Sequence, residues 1–383
     1  MRYSSFVTNG TATWGVVTAD GTLVDARTIP GAPATLDSHI DAPDPAVVDR
    51  LRDATTTTGG IDTTTVTWLP PVRRPGKILG VAINNVIGQR LAFRPFAGPA
   101  FFFKPTSSLI GHGQPVVVHE SYGITHPEPE LAVVVGRGGR NIAESDALAH
   151  VFGYTVINDI TSPGLKEADS IEIVAPPGSG GGAYGKLLAW RHVRDDEHAR
   201  STYLTYHARS KGTDTFGPIG PWIVTADEIS DPNKLTVTSY DGDTPVFVDS
   251  TANLVFSVSR IIAHASAYMT LAPGDIIHCG TSMRPADGGP YRGITDWDIR
   301  RVAGRPMRID IEGIGSLSNP VTALLAVTVK NLSPGMARSV PSRCVHTSSL
   351  VSPSSHQPAQ LVSHFGLVLP YTRNTMLVRS SGG

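Results

Sequence analysis

The feature that most constrains this chain is a succession of short apolar runs closed by turn residues. In order they are KILGVAI, AFFFKP, QPVVVHE, ELAVVVG, FGYTVIND, GPWIVT, LTVTSYDGD, GDIIHCGT and MRIDIEGIG. Short runs rich in β-branched and aromatic residues, bounded by Gly, Pro, Asn or Asp, read as strands. The 39 glycines and 30 prolines end elements rather than extend them, which favours many strands and turns over long helices. One amphipathic helix stands out, NLVFSVSRIIAHASAYM over 253–269, with Leu254, Val258, Ile261, Ile262, Ala265 and Met269 on one face. AESDALAHVFG (143–153) predicts a shorter one. Thr225 and Glu228 have capping-box spacing, with Pro232 keeping any helix there short. The expected class is α+β, mainly β.

A chain of 383 residues has room for two domains, or for one large domain with appendages. WGVVTADGTLVDA reads as strand, Asp-Gly turn, strand, so residues 1–72 are expected to form a small N-terminal β-rich domain. PPVRRPGK (70–77) then leads into a main domain over 73–330, interrupted by a polar, glycine-rich insertion at 167–209. From Ile314 onward there is no Asp or Glu, and 331–383 is rich in Ser and Pro. That stretch is expected to be a disordered tail. Charged residues are 17% and the net charge is −1, which excludes the polybasic surface needed for nucleic acid or an anionic membrane. No stretch approaches a membrane span. Cys279 and Cys344 are the only cysteines, too few for a disulfide framework or a cysteine zinc site, so a cytoplasmic location is expected.

HPEPELAVVVG (126–136) places two acids in front of an apolar run. Strand residues two apart share a face, so His126, Glu128 and Glu130 are expected to project together. Taken alone, an E-x-E beside Pro127 and Pro129 reads as a solvated edge strand. Asp159 ends another strand-like run, FGYTVIND. Three carboxylates at strand mouths make an all-oxygen donor set suited to Mg²⁺, Mn²⁺ or Ca²⁺ rather than zinc.

Longer motifs sharpen this. FFFKPTSSLIG, EPELAVVVG, GYTVINDI, KGTDTFGPIGPWIVTADEISDP, STANLVFSVSRIIAHASAYMTLAPGDIIHCGTS and IEGIGSLSNPV follow one another. In that order and spacing, from about Lys77 to Asn319, the chain resembles the catalytic domain of the fumarylacetoacetate hydrolase family. The resemblance implies a mixed β-roll or sandwich and a homodimer. It also implies a divalent metal, Mg²⁺ or Mn²⁺, and a small 2-oxo acid or β-dicarbonyl substrate. Glu128, Glu130 and Asp159 match the metal ligands, Lys211 the lysine beside the metal, and Thr281 a residue that contacts the substrate carboxylate. C–C bond hydrolysis is the leading reaction; decarboxylation, isomerisation and hydration are alternatives, as is a metal-binding pseudoenzyme.

The last alternative arises from a departure. Where many family members carry N-Y-x-x-H-x-x-E on a lid, this chain has NNVIGQRL, so Asn85, Gly88 and Leu91 replace Tyr, His and Glu. A substitute base must come from elsewhere. His126, whose unperturbed pKa suits proton transfer near neutrality, is the nearest candidate; as an alternative it only stabilises the strand entrance. His112 reads as a turn residue, and His192 and His198 as members of a charged, solvated helix. GGGAYGK (180–186) satisfies a P-loop pattern but is followed by Leu187 instead of Ser or Thr, so it reads as a flexible glycine loop rather than a nucleotide site.

Overall fold

The computed structural model describes residues 1–56, 58–90, 96–174, 201–302 and 304–324. The chain divides into two units, Met1–Val327 and Thr328–Gly383; the second, the Gly180–Lys186 loop, His192, His198 and Leu91 lie outside the described residues.

Nine strands run side by side in one eleven-stranded mixed sheet, in the order Leu23–Asp25, Thr11–Val17, Arg2–Thr8, Gly217–Thr225, Val151–Asn158, Pro129–Val135, Ile276–Thr281, Ile78–Val81 and Phe101–Lys104. A second sheet of five strands follows the order Thr244–Ser250, Thr236–Asp241, Pro306–Ile311, Gly315–Leu324 and Val116–His119. The class is α+β, mainly β. Leu131, Val133 and Val135 turn to one face of the large sheet, packing with Ile309, Ile311 and Leu317 of the small sheet and with the helix Val258–Tyr268. Ala132 and Val134 turn to the other face, with Ile276, Ile78 and the N-terminal Trp14, Ile40 and Leu51.

The N-terminal residues are therefore not a separate β domain. Arg2 and Tyr3 pair with Val224 and Ile223 in the same sheet, and the segment also supplies the helices Leu36–Asp41 and Pro45–Ala54. Nor is Pro129–Val135 an edge strand: all seven residues are buried, with partners on both sides. Within the insertion, Ser170–Val174 pairs antiparallel with Ser201–Thr205. Among the described residues no helix is long and apolar enough to cross a membrane.

Candidate metal centre

The centre forms where neighbouring strands of the large sheet end together. Glu130 stands opposite Ile157 on one side and Thr281 on the other. Asp159 directly follows the strand Val151–Asn158, and its amide donates to the Glu128 carbonyl at 2.9 Å. The Glu128 amide donates to Asn158 Oδ1 at 3.0 Å. These crossed bonds hold both acid-bearing segments in one register.

Glu130 and Asp159 are buried, and the Glu128 side chain is 18% exposed. Thr281 Oγ1 lies 2.9 Å from Glu128 Oε2 and 3.0 Å from Glu130 Oε1. The ladder slips between His278 and Thr281, and Gly280 takes φ +116°, a conformation that favours glycine. A Cβ there would lie 2.7 Å from Asn84 Cβ. The slip turns the Gly280 amide onto Glu130 Oε2 at 2.7 Å, beside His278 Nδ1 at 2.8 Å.

Two lysines enter from other elements. Lys211, in the short helix Ala208–Gly212, donates to Asp159 Oδ2 at 2.6 Å and Glu128 Oε2 at 3.1 Å, with its Nζ 4.6 Å from the Phe102 ring centre. Lys104 ends the strand Phe101–Lys104, donates to Asp159 Oδ1 at 2.7 Å and to the Lys211 carbonyl, and is wholly buried. Burial pushes the Asp159 carboxyl up, but the Lys104 and Lys211 ammonium groups outweigh this and hold it well below the carboxylate range. Glu128 is likewise lowered, burial being outweighed chiefly by Lys211. Burial pushes Lys211 down, and Asp159 and Glu128 more than restore it, so it stays charged. Lys104 is lowered by burial despite Asp159.

Every sequence-predicted site residue in the described chain meets here. His126 lies just before the strand, bridged to Thr161, with Nδ1 3.3 Å from the Pro127 carbonyl and 4.0 Å from Glu128 Oε1. Its burial lowers its pKa and favours the neutral ring. At the lid position, Asn85 caps a short helix, Val86–Gln89, and donates to Asp249 Oδ2 at 3.0 Å and the Thr281 carbonyl at 3.1 Å. His112 is a turn residue, accepting from the Ser318 amide.

Lys104 and His278 were given no role by sequence reasoning. The same signal that marks Asp159 marks Lys104: a charge closing an apolar run, FFFK. His278 is a lone polar residue inside the buried run IIHC. Three carboxylates converge with only two ammonium groups among them, so the cluster retains negative charge and hard oxygen donors. That donor set fits a divalent cation. One ligand-type atom from each of Glu130, Asp159 and His278 also lies within 4.8 Å of the others.

Comparison with known proteins identifies the family. A family model described as fumarylacetoacetate (FAA) hydrolase C-terminal matches residues 83–322. The 4-hydroxyphenylacetate degradation bifunctional isomerase/decarboxylase of Salmonella dublin is 30% identical over 258 residues, 67% of this chain and 49% of that protein. The mitochondrial oxaloacetate tautomerase of Xenopus laevis is 30% identical over 259 residues, 67% of this chain and 68% of that one. A solved maleylpyruvate hydrolase from Sphingobium sp. SYK-6, in complex with manganese(II) and pyruvate, superposes with a TM-score of 0.58 at 27% identity, covering 84% of this chain and 99% of that one. The chain belongs to the fumarylacetoacetate hydrolase family.

Proposed function

We propose that this chain is a divalent-metal-dependent enzyme that hydrolyses a C–C bond in a small β-dicarbonyl or 2-oxo acid of the acylpyruvate type. The observation that carries the reading is the convergence of Glu128, Glu130 and Asp159 with Lys211 lodged between two of them. The similar maleylpyruvate hydrolase, seen with manganese(II) and pyruvate, supports it. Glu128, Glu130 and Asp159 would hold Mg²⁺ or Mn²⁺, which would supply Lewis acidity toward the substrate oxygens. Lys211 adds fixed positive charge where negative charge develops on the substrate oxygen. The Thr281 hydroxyl, beside Glu128 and Glu130, orients the substrate carboxylate. His126 is the proposed base: Nδ1–H faces the Pro127 carbonyl, which leaves the Nε2 lone pair to accept a proton. The reading includes a homodimer in the cytoplasm.

A second reading, proton transfer or decarboxylation without attack by water, is favoured by one observation. Asn85 spends its side chain on capping Ile87 and on Asp249 and Thr281, and Gly88 has none, so neither activates water. The test is calorimetric titration with Mn²⁺ of the wild type and of Glu130→Ala, followed by a screen of acylpyruvates, oxaloacetate and unsaturated 2-oxo acids. The wild type is expected to bind one ion, and the variant to lose most of the affinity. Unchanged binding in Glu130→Ala refutes the assignment. Enol–keto interconversion of oxaloacetate without cleavage of any acylpyruvate selects the second reading, and metal binding with no turnover makes the chain a pseudoenzyme.

A further inference from the structure

His278 is fully buried inside an apolar strand, yet only one of its ring nitrogens is engaged. Nδ1 lies 2.8 Å from Glu130 Oε2, while Nε2 is buried without a hydrogen-bond partner among the described residues. A carboxylate oxygen accepts here, so Nδ1 carries a proton, and Nε2 is left without an answering group. An apolar side chain would avoid that cost. The surroundings are nevertheless shaped to this ring. It stands edge-on to Phe102, with ring centres 5.4 Å apart. It also lies so close over Gly80 that a Cβ there would fall 2.4 Å from its Cε1.

The contacts of Glu130 show what the ring does. Its Oε2 accepts from Gly280 N at 2.7 Å and from His278 Nδ1 at 2.8 Å, and Oε1 lies 3.0 Å from Thr281 Oγ1. A carboxylate oxygen has two lone-pair directions, and on Oε2 both are taken. Glu130 can then offer an ion only Oε1. Ca²⁺ gathers six to eight oxygens and commonly uses bidentate carboxylates, whereas Mg²⁺ takes six ligands in a tight octahedron, with single oxygens and water.

We propose that His278 is a positioning residue that restricts Glu130 to one-oxygen coordination, so that the centre selects a small six-coordinate ion over Ca²⁺. The proposal rests on the metal reading above. Its test is calorimetric titration with Mn²⁺ and, separately, Ca²⁺ of the wild type, His278→Leu and His278→Asn. The leucine variant frees one Oε2 lone pair. Its Mn²⁺ affinity is expected to fall by ~10–100-fold and its Ca²⁺ affinity to fall less, so the preference between the two ions shrinks. The asparagine amide places a donor near the position of Nδ1 and is expected to restore the preference.

Equal loss for both ions, no loss, or no recovery with asparagine overturns the proposal. A wild type that binds neither ion refutes the metal reading itself. Pulsed electron paramagnetic resonance on Mn²⁺-loaded wild type needs no variant and covers a leucine variant that fails to fold. Absence of directly coordinated nitrogen supports a positioning role, and its presence makes His278 a ligand instead.

Discussion

Asp159 is gripped from both sides, by Lys104 at one oxygen and Lys211 at the other. Removing one member of a buried ion pair strands charge in a poorly solvated place. Lys104→Met is therefore expected to destabilise the metal-free protein by ~3 kcal/mol, the low end for such pairs because Lys211 remains; urea unfolding measures it, and an unchanged midpoint refutes it. His126→Gln keeps polarity and approximate size. If His126 is the base, kcat falls by ~10²-fold or more with Mn²⁺ affinity retained; normal turnover makes it structural. Residues of this kind were unequally legible. Glu128, Glu130 and Asp159 announce themselves as acids beside apolar runs, and the family resemblance implies their role as ligands. The contacts of Lys104 and His278 depend on which strands are neighbours. Phe101–Lys104 reaches the centre through Ile78–Val81, and that adjacency leaves no mark in spacing.

Among the elements, sequence periodicity located the helix at 253–269, but the structure starts it later, at Val258. The Ser257 side chain accepts from the Arg260 amide as a cap, while Thr251–Asn253 form a separate 3₁₀ turn. The helix expected at 143–153 is a 3₁₀ turn, Glu144–His150, running straight into the strand Val151–Asn158; the aromatic and β-branched residues of VFGYTVIN favour extended structure. The Thr225–Glu228 capping box does not form: Ala226–Glu228 is a 3₁₀ turn with no side-chain cap bond from Thr225. Strand packing leaves Gly80 no room for a side chain, since a Cβ would lie 2.2 Å from Phe102 Cζ and 2.4 Å from His278 Cε1. Gly80→Ala is expected to lower the melting temperature and, by displacing His278, the Mn²⁺ affinity together; loss of neither contradicts this packing.

On the docked helix Leu36–Asp41, His39 is buried among Tyr3, Trp14 and Phe152, with neither ring nitrogen bonded among the described residues. Burial lowers its pKa, so its contribution is complete above the unfolded value of about 6.5 and is lost as pH falls below that. His39→Phe should flatten the acid limb of stability measured by urea unfolding between about pH 5 and about pH 8; an identical slope removes His39 as the cause.

At the scale of the molecule, the two ends of the chain lead to opposite predictions. The stretch 331–383 has no acids, many Ser and Pro, and little apolar periodicity, so it has little means of building a core. A chain ending at Lys330 is expected to keep its melting temperature and Mn²⁺ affinity, and a large drop in either would show that the end packs. The N-terminal residues look like a detachable hairpin unit in sequence, because Asp-Gly turns and a proline-rich link are local signals. Their partners are distant ones. Arg2–Thr8 pairs with Gly217–Thr225, the Ser5 hydroxyl donates to the Pro71 carbonyl at 2.7 Å, and Tyr3, Trp14, Ile40 and Leu51 share a core with Val134, Ile219, Ile223 and Ile276. Of these, Val134 and Ile276 belong to the strands that carry Glu130 and His278. A chain beginning at Arg73 would expose this apolar face and the unpaired edge of Gly217–Thr225, an invitation to edge-to-edge association. It is expected to lose its single cooperative unfolding transition and to aggregate, with the metal centre lost alongside. If that shortened chain stays monomeric, unfolds cooperatively and binds Mn²⁺ as the full chain does, the two parts fold independently, and the shared core is an accessory rather than the support of the site.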